Sequence, residues 1–170
     1  MSGMLGGLLF RPPRAEDGRR MAELVRASGK LDVNSTYCYA MLGRWFAETC
    51  LIAESREDER LAGMVTGFRL PSDPRTLFVW QIAVDERYRG QGVAIALLNE
   101  LTADLDVRYV ETTISPSNGP SRRLFQKWAD SLRMAISVTE GFREEHFLEP
   151  GHETEELYRM GPIVRDLESD

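Results

Sequence analysis

The sequence predicts a mixed α/β fold in which one mixed sheet carries helices on both faces. Apolar segments rich in β-branched residues alternate along the chain with segments whose apolar residues recur at helical spacing. The predicted elements follow one another in the order β α α β β β α β α β β, and the β α β α β portion requires parallel neighbours. The strand “TLFVWQIAV” at 76–84 is apolar nearly throughout, which is typical of a central strand covered on both faces.

The first half of the chain predicts two helices followed by two strands. A short strand at 8–11 precedes a helix over 15–28, which Gly29 ends. Asn34 and Ser35 are residue types that cap helices, and they precede the second helical pattern. The strands “TCLIAES” and “RLAGMVTGFRL” flank the charged tip “REDE”, which we interpret as a solvated hairpin turn. The second helix is expected to bury five side chains on its inner face: Cys38, Met41, Leu42, Trp45 and Phe46.

The second half alternates helices with strands. Two glycines follow the strand at 76–84, and a stripe of apolar residues over 93–105 then predicts a helix. A β-branched segment at 107–115 predicts the next strand. The segment 116–132 begins with cap residues and a proline in its first turn, so it predicts another helix. The segments “RMAISVTEGF” and “EELYRMGPI” predict the last two strands.

Length and composition predict one soluble domain. The 170 residues contain no repeat or linker, so we expect a single domain over 1–170 with a core at about 8–163 and frayed termini. No apolar stretch is long enough to span a bilayer, and the opening residues lack the basic leader of a signal peptide, so a cytoplasmic location is expected. The formal net charge of −6 disfavours nucleic acid as the main partner, because binding a phosphate backbone needs clustered positive charge.

The stretch “DERYRGQGVA” at 85–94 predicts an anion-binding loop. It joins a strand to a helix, where unpaired backbone amides and the positive end of the helix dipole attract anions. Gly90 and Gly92 allow the backbone to approach a phosphate without an intervening side chain, and Arg87 and Arg89 add positive charge. The alternative is a tight turn with solvated arginines. The stretch lacks the Lys-Ser/Thr pair of a P-loop and the third glycine of a dinucleotide-binding fold.

This loop closely resembles the RxxGxG/A motif of the GNAT acyltransferase superfamily. The resemblance implies a mostly antiparallel mixed sheet with a coenzyme cleft between splayed central strands. It also implies that the loop binds the pyrophosphate of acetyl-CoA, and that Ile82 and Val84 on the preceding strand offer backbone groups to the pantetheine arm. The coenzyme-binding residues that it implies within the loop are Arg87, Arg89, Gly90, Gln91, Gly92, Val93 and Ala94.

A second GNAT feature lies downstream of the loop. Asn118 begins the helix after the next strand, where these enzymes often have an asparagine for the pantetheine. Seven residues later the superfamily often has a tyrosine as general acid, whereas this chain has Phe125. A phenyl ring has no proton to give to a leaving thiolate, so another group or water must serve. On the same helix, Arg122, Arg123 and Lys127 are either contacts for the coenzyme phosphate or a solvated face.

Four segments carry a narrower resemblance: “LDVNSTYCY”, “VWQIAVDERYRGQGVA”, “ISPSNGPSRRLF” and “GHETEELYRMGPI”. Together they resemble the L-2,4-diaminobutyrate acetyltransferases, the family that precedes ectoine synthase in ectoine biosynthesis. The match spans about residues 8–163. It implies an enzyme that transfers acetyl from acetyl-CoA to the 4-amino group of this amino acid. By analogy with the family, it also implies a homodimer.

The segment before the second helix suits such a substrate. Diaminobutyrate carries two ammonium groups and one carboxylate, so its site needs both acidic residues and neutral or cationic donors. Asp32, Asn34, Thr36 and Tyr37 supply this mixture within six residues and are the expected substrate-binding residues. The alternative is that these residues only cap a helix and face water. Trp80, on the central strand, either belongs to the core or lines the acceptor site.

The terminal segment “GHETEELY” supplies the expected general base. An alkylamine with a pKa of about 10 is mostly protonated at pH 7, so a group must accept its proton. The family pattern GHxxE singles out Glu155 as the base and as a substrate contact, and Tyr37 is the candidate acid in place of Phe125. The alternative for Glu155 is an ordinary surface carboxylate. No histidine follows His152, so the zinc motif HExxH is absent and no metal is expected.

Two other functions remain open from the residues. The chain could acetylate another amine, such as a polyamine or a protein N-terminus. It could instead be a non-catalytic acetyl-CoA-binding module that regulates a partner, a role that Phe125 favours. The main expectation is an enzyme whose partner is a small amino acid, with neither nucleic acid nor membrane involved.

Overall fold

The computed structural model describes residues 5–29 and 31–165. The predicted order of strands and helices is confirmed throughout, whereas the predicted fraying concerns termini that lie largely outside the described residues. Short 3-10 turns precede or follow several elements. The strands and helices are β1 (Leu8–Arg11), α1 (Gly18–Ser28), α2 (Thr36–Trp45), β2 (Leu51–Ser55), β3 (Leu61–Leu70), β4 (Asp73–Val84), α3 (Val93–Asp104), β5 (Tyr109–Ile114), α4 (Gly119–Ser131), β6 (Ala135–Glu140) and β7 (Glu156–Gly161).

The described chain forms two compact units, and β4 contributes residues to both. The first unit contains the described residues up to Phe68 together with Val79–Asp106, and its strands are neighbours in the order β1-β2-β3-β4. The second contains Arg69–Phe78 and the described residues from Val107 onward, with the order β4-β5-β7-β6. Pairing is antiparallel for β1 with β2, β2 with β3, β5 with β7 and β6 with β7, and parallel for β4 with β5. The predicted mostly antiparallel sheet is confirmed.

Helices cover both faces of the sheet in the first unit, as predicted. Gly63 and Met64 are neighbours in β3, so they face opposite sides of the sheet. Met64 belongs to a buried cluster with residues of α1 and α2. On the other face, a Cβ added at Gly63 would lie 3.1 Å from side-chain atoms of Val93 and Leu97 in α3. The glycine therefore lets the first turn of α3 approach the sheet closely.

The predicted inner face of α2 is confirmed for Leu42 and wrong at the C-terminal end of the helix. Leu42 is buried and Cys38 packs against the core, but Trp45 and Phe46, expected inside, are 67% and 40% exposed. The helix also buries Tyr39 and Gly43. A Cβ at Gly43 would collide with a backbone carbonyl of the segment that precedes α1. This close approach fixes the rotation of α2, so the large aromatic side chains at its end face outward although they are strongly apolar.

A buried ion-pair cluster joins β1, α1 and β2. Asp17 is 3% exposed and bonds the guanidinium groups of Arg11, at 2.8 Å, and Arg20. Glu54 binds Arg11 at 2.7 Å from the other side. Burial alone would raise the pKa of Asp17, but hydrogen bonds from Arg11, the Arg14 amide and Arg20 outweigh it and hold that pKa well below its usual range.

The second unit is built around a short parallel ladder. The β4–β5 register partners run only from Thr76 with Tyr109 to Phe78 with Glu111, although both strands continue beyond them. Arg159 of β7 donates to Glu111 over 2.6 Å and to Thr76 over 3.2 Å, and its guanidinium lies 4.0 Å from the centre of the Tyr109 ring. One cation thus links three adjacent strands of this unit.

We expect Asp17→Asn to lower the free energy of unfolding by roughly 2–4 kcal/mol at pH 7, because it leaves the guanidinium groups of Arg11 and Arg20 with only Glu54 as a shared carboxylate. The pKa of Asp17 is lower in the folded chain than in the unfolded chain. Asp17 therefore contributes to the free energy of unfolding above about pH 4, and this contribution is lost as the pH falls further. Urea unfolding at several pH values measures both effects. Glu23→Gln, which removes an exposed pair with Arg19, is the control and should change little. Equal losses at pH 7 and pH 3 for Asp17→Asn would contradict the assignment.

Candidate active site

The loop between β4 and α3 has the backbone that its glycines predicted. Gly90 has a φ of +74° and Gly92 a φ of +80°, a left-handed region that L side chains rarely adopt. A Cβ built at either glycine meets nothing within 4 Å, so open space lies in front of the backbone. Gly92 is the N-cap of α3, and the amides of the first turn have no carbonyl partner within the helix. This arrangement suits an anion such as a pyrophosphate.

The charged side chains of the loop are held by the loop itself. Arg87 donates to the carboxylate of Asp85 over 2.9 and 3.0 Å, and these bonds hold the pKa of Asp85 below its usual value. Arg89 donates to the carbonyl of Val84 over 3.3 Å, and Gln91 donates to the carbonyl of Arg87 over 2.8 Å. The predicted arginines therefore lie at the loop, but an incoming phosphate would share Arg87 with Asp85.

The other predicted coenzyme residues of the first unit flank this loop. Ile82 and Val84 are half-buried near the end of β4, Val93 is buried, and Ala94 is half-buried in the first turn of α3. Sequence reasoning missed Gly63, which allows that turn to pack close to the sheet. A glycine inside a strand pattern signals such a close approach.

The predicted acceptor residues lie before and within the first turn of α2. Asp32, Thr36 and Tyr37 are exposed, Tyr37 to 73%, while Asn34 is half-buried and donates to the carbonyl of Asp32 over 3.4 Å. Ser35 is the helix cap and accepts from the amide three residues later, so the capping role is confirmed for Ser35. The side chains available for a ligand are therefore the acidic Asp32 and the hydroxyls of the first turn.

Trp80 contacts the core, which is one of the two environments that the sequence left open, and its place in an acceptor site stays a prediction. It is half-buried against the core of the first unit, and its ring stacks on that of Tyr39 with 6.3 Å between centroids and 24° between planes. Tyr39 donates its hydroxyl to Gln81, the next residue of β4, over 2.9 Å. Sequence reasoning missed Tyr39 and Gln81, although a glutamine inside an apolar strand is a signal for a buried hydrogen bond.

In the second unit, Asn118 and Phe125 lie on α4. The Asn118 side-chain oxygen caps the helix by accepting from the amide of Ser121 over 3.2 Å, so its NH₂ group remains for another contact. Phe125 is buried in the core of the unit. Its phenyl ring is thus a packing group, in agreement with its inability to donate a proton. Arg122, Arg123 and Lys127 line a groove of about 780 Å³ between α4 and the strands β6 and β7, and whether they meet a coenzyme stays a prediction.

Three glutamates precede or begin β7, and they differ in what they contact. Glu153 accepts from the Ser117 hydroxyl, and Glu156 accepts from the Tyr158 hydroxyl over 3.1 Å. Glu155 is half-buried, with its backbone bonded to the end of β6, and within the described chain its carboxylate has no hydrogen bond or ion pair. Among the described residues, Glu155 is thus the one of the three whose carboxylate is not already bonded to another side chain.

Metal-binding clusters and membrane-spanning helices are both absent from the described residues. Among residues 5–29 and 31–165, no group of three or more His, Cys, Asp or Glu side chains is arranged to hold a metal ion. None of the helices in the same residues is long and apolar enough to cross a membrane.

Comparisons with known proteins agree with this geometry. Residues 20–129 match the model of the acetyltransferase (GNAT) family. The chain is 42% identical over 167 residues to the L-2,4-diaminobutyric acid acetyltransferase of Marinococcus halophilus, covering 96% of this chain and 95% of the relative. It is 47% identical over 154 residues to the enzyme of that name from Halalkalibacterium halodurans, covering 89% and 80%. The chain belongs to the L-2,4-diaminobutyric acid acetyltransferases of the GNAT family.

A solved structure of this family is closely similar in fold. Diaminobutyrate acetyltransferase EctA from Paenibacillus lautus, in complex with its substrate L-2,4-diaminobutyric acid and coenzyme A, is 44% identical and superposes with a TM-score of 0.86. The similarity covers 94% of this chain and 98% of that chain. The predicted GNAT fold and the prediction of an acetyltransferase are confirmed.

We expect Gly92→Val to raise the KM for acetyl-CoA about tenfold or more, because a left-handed backbone costs an L residue roughly 1–2 kcal/mol and the first-turn amides would move. Steady-state kinetics with varied acetyl-CoA measure this. Gly7→Val is a matched control, since Gly7 has a φ of +85° and the same open surroundings in a different loop. An unchanged KM in Gly92→Val, or the same rise in the control, would remove the loop from the coenzyme site.

Proposed function

We propose that the chain transfers the acetyl group of acetyl-CoA to the 4-amino group of L-2,4-diaminobutyrate, giving N4-acetyl-L-2,4-diaminobutyrate for ectoine biosynthesis. The observation that carries the proposal is the 44% identity, over nearly the full length of both chains, to an enzyme that binds this amino acid and coenzyme A. The open glycine loop at the start of α3 supports it, because the coenzyme's pyrophosphate needs such a set of backbone donors.

The coenzyme is proposed to lie along the end of β4 and the start of α3. Amides of the loop from Gly90 to Ala94 bind the pyrophosphate, with Arg87 adding charge, and the backbone of Ile82 and Val84 meets the pantetheine arm. The NH₂ group of Asn118 is a further proposed contact for that arm, because the helix cap uses only its oxygen.

The amino acid is proposed to bind at the segment before α2. The exposed carboxylate of Asp32 pairs with the non-reacting ammonium group, and the neutral donors of Asn34, Thr36 and Tyr37 meet the substrate carboxylate. Trp80 lines the same site with the part of its ring that the core leaves exposed. An acidic group and uncharged donors together match the charge pattern of the substrate.

Glu155 is proposed as the general base and Tyr37 as the general acid. The amine loses a proton to Glu155, directly or through water, and its nitrogen attacks the thioester carbonyl. The nitrogen then gives up a second proton to water as the carbon–sulfur bond breaks, and the coenzyme thiolate takes a proton from Tyr37 or water. Tyr37, if it donates, regains its proton from solvent. Tyr37 is exposed and therefore accessible, whereas the phenyl ring of Phe125 is buried and has no proton to donate.

Three further properties are proposed. A cytoplasmic location is proposed from the composition of the chain, and a homodimer by analogy with the family. That the chain acts as one acetyltransferase domain is supported by a similarity that covers 98% of a single related chain.

A substrate panel tests the proposed function. The purified chain with acetyl-CoA should release coenzyme thiol rapidly with L-2,4-diaminobutyrate, and the product should carry acetyl on N4 by NMR. Faster release with spermidine or with an N-terminal peptide would indicate an acetyltransferase of another amine. Tight acetyl-CoA binding with no thiol release for any amine would instead indicate a regulatory module.

We expect Glu155→Gln to lower kcat by about 100-fold at pH 7, the scale of a lost general base, and the loss should shrink as the pH approaches the pKa of the free amine. Rates measured from pH 7 to pH 10 test both parts. Glu156→Gln is the matched control, because this neighbour already bonds Tyr158 and should retain most of the activity. A near-normal rate for Glu155→Gln at pH 7 would eliminate the assignment.

A further inference from the structure

A series of buried hydrogen bonds in the first unit connects β4 to residues 32–35, which we call the acceptor segment because they carry proposed substrate contacts. Gln81 is 5% exposed in β4, and Tyr39 of α2 is fully buried. The Tyr39 hydroxyl donates to Oε1 of Gln81 over 2.9 Å, and Nε2 of Gln81 donates to the backbone carbonyl of Asp32 over 2.9 Å. Both ends of the Gln81 amide are therefore bonded.

The two hydrogen-bond partners determine which end of the Gln81 amide faces each of them. The Asp32 carbonyl can only accept, so it requires the NH₂ end of Gln81, while the Tyr39 hydroxyl can donate to the oxygen end. A reversed amide would place oxygen against oxygen at Asp32. Tyr39 is in turn held by its stacking on Trp80, so each side chain of this hydrogen-bonded series has a defined position.

The carbonyl that Gln81 holds belongs to the segment that carries the proposed substrate contacts. Residues 32–35 lie outside helix and strand, and most of their side chains are exposed. Ser35 fixes one end of the segment by capping α2, and the Gln81 bond ties the other end to the sheet. Asn34 adds a longer bond to the same Asp32 carbonyl, at 3.4 Å.

We propose that Gln81 is a positioning residue for the amino-acid substrate, an inference that rests on the proposed role of Asp32. Because Gln81 is buried, it acts through Asp32: by holding the carbonyl, it sets where the carboxylate meets the non-reacting ammonium group. Tyr39 supports this arrangement by holding the Gln81 amide and by hydrogen bonding to Asn34 of the same segment. The coenzyme loop leaves β4 beyond Val84 and does not use these bonds, so we expect their loss to change coenzyme binding much less than amino-acid binding.

The test replaces Gln81 with methionine, which has a similar length and no donor. Gln81→Met should raise the KM for diaminobutyrate about fivefold or more, the effect of losing one hydrogen bond, and should leave the KM for acetyl-CoA within about twofold. In an Asp32→Asn background the same substitution should raise the KM by less than about twofold, since the carboxylate that Gln81 positions is already gone. A merely structural role would give the same rise in both backgrounds.

Two further variants keep the test decisive. Tyr39→Phe removes one oxygen atom and should raise the KM for diaminobutyrate in the same direction by a smaller factor. Thr49→Val, the control, removes a buried hydroxyl of the same unit that bonds the carbonyl of Gly67 over 2.8 Å, and should leave that KM unchanged. An unchanged KM in both Gln81→Met and Tyr39→Phe, or an equal rise with and without the Asp32 carboxylate, would overturn the inference. A wild-type chain that does not acetylate diaminobutyrate would overturn the proposed function itself.

Discussion

Burial of the second half of β4 is the constraint on which both proposed binding segments of the first unit depend. Val79, Gln81 and Ala83 are buried, so this half of the strand cannot shift without disrupting the core. A buried glutamine requires partners, which Tyr39 and the carbonyl of Asp32 supply. The end of the same strand determines where the chain leaves the sheet for the glycine loop. The acceptor segment and the coenzyme loop therefore take their positions from one strand.

Glycines serve two opposite purposes beside this strand. Gly63 is required by lack of space, because α3 packs within reach of any side chain there. Gly90 and Gly92 are required by backbone conformation, in a loop that faces open space. Together they bring the first turn of α3 close to the sheet and leave its amides accessible. Since Arg87 is already paired with Asp85, the donors that the loop offers to a phosphate are chiefly its backbone amides.

Features that depend on local pattern could be predicted from the sequence. The order of elements, the glycine loop and the Ser35 cap follow from periodicity, turn residues and capping residues. The narrower function came from the resemblance of four segments to one family, and the comparisons confirm that family. The roles of individual site residues stay predictions.

Features that depend on distant contacts could not be predicted in this way. The inner face of α2 is set by the close approach of Gly43 to a segment far from it in sequence, which outweighs the apolar character of Trp45. The partners of Gln81 lie 42 and 49 residues away along the chain. The sequence predicts that β4 begins at residue 76, whereas the strand begins at Asp73. Charged residues and a proline in this stretch do not give the apolar pattern of a strand.

We propose that coenzyme and amino acid bind to separate elements that β4 positions. Backbone amide chemical shifts of ¹⁵N-labelled protein test this most directly. Coenzyme A should shift the amides of residues 90–95 and leave those of 32–37 nearly unchanged. Diaminobutyrate, added to the protein saturated with coenzyme A, should then shift residues 32–37. Unshifted amides at 90–95 with saturating coenzyme A, or no response at 32–37 to the amino acid, would show that the two ligands do not bind at these elements.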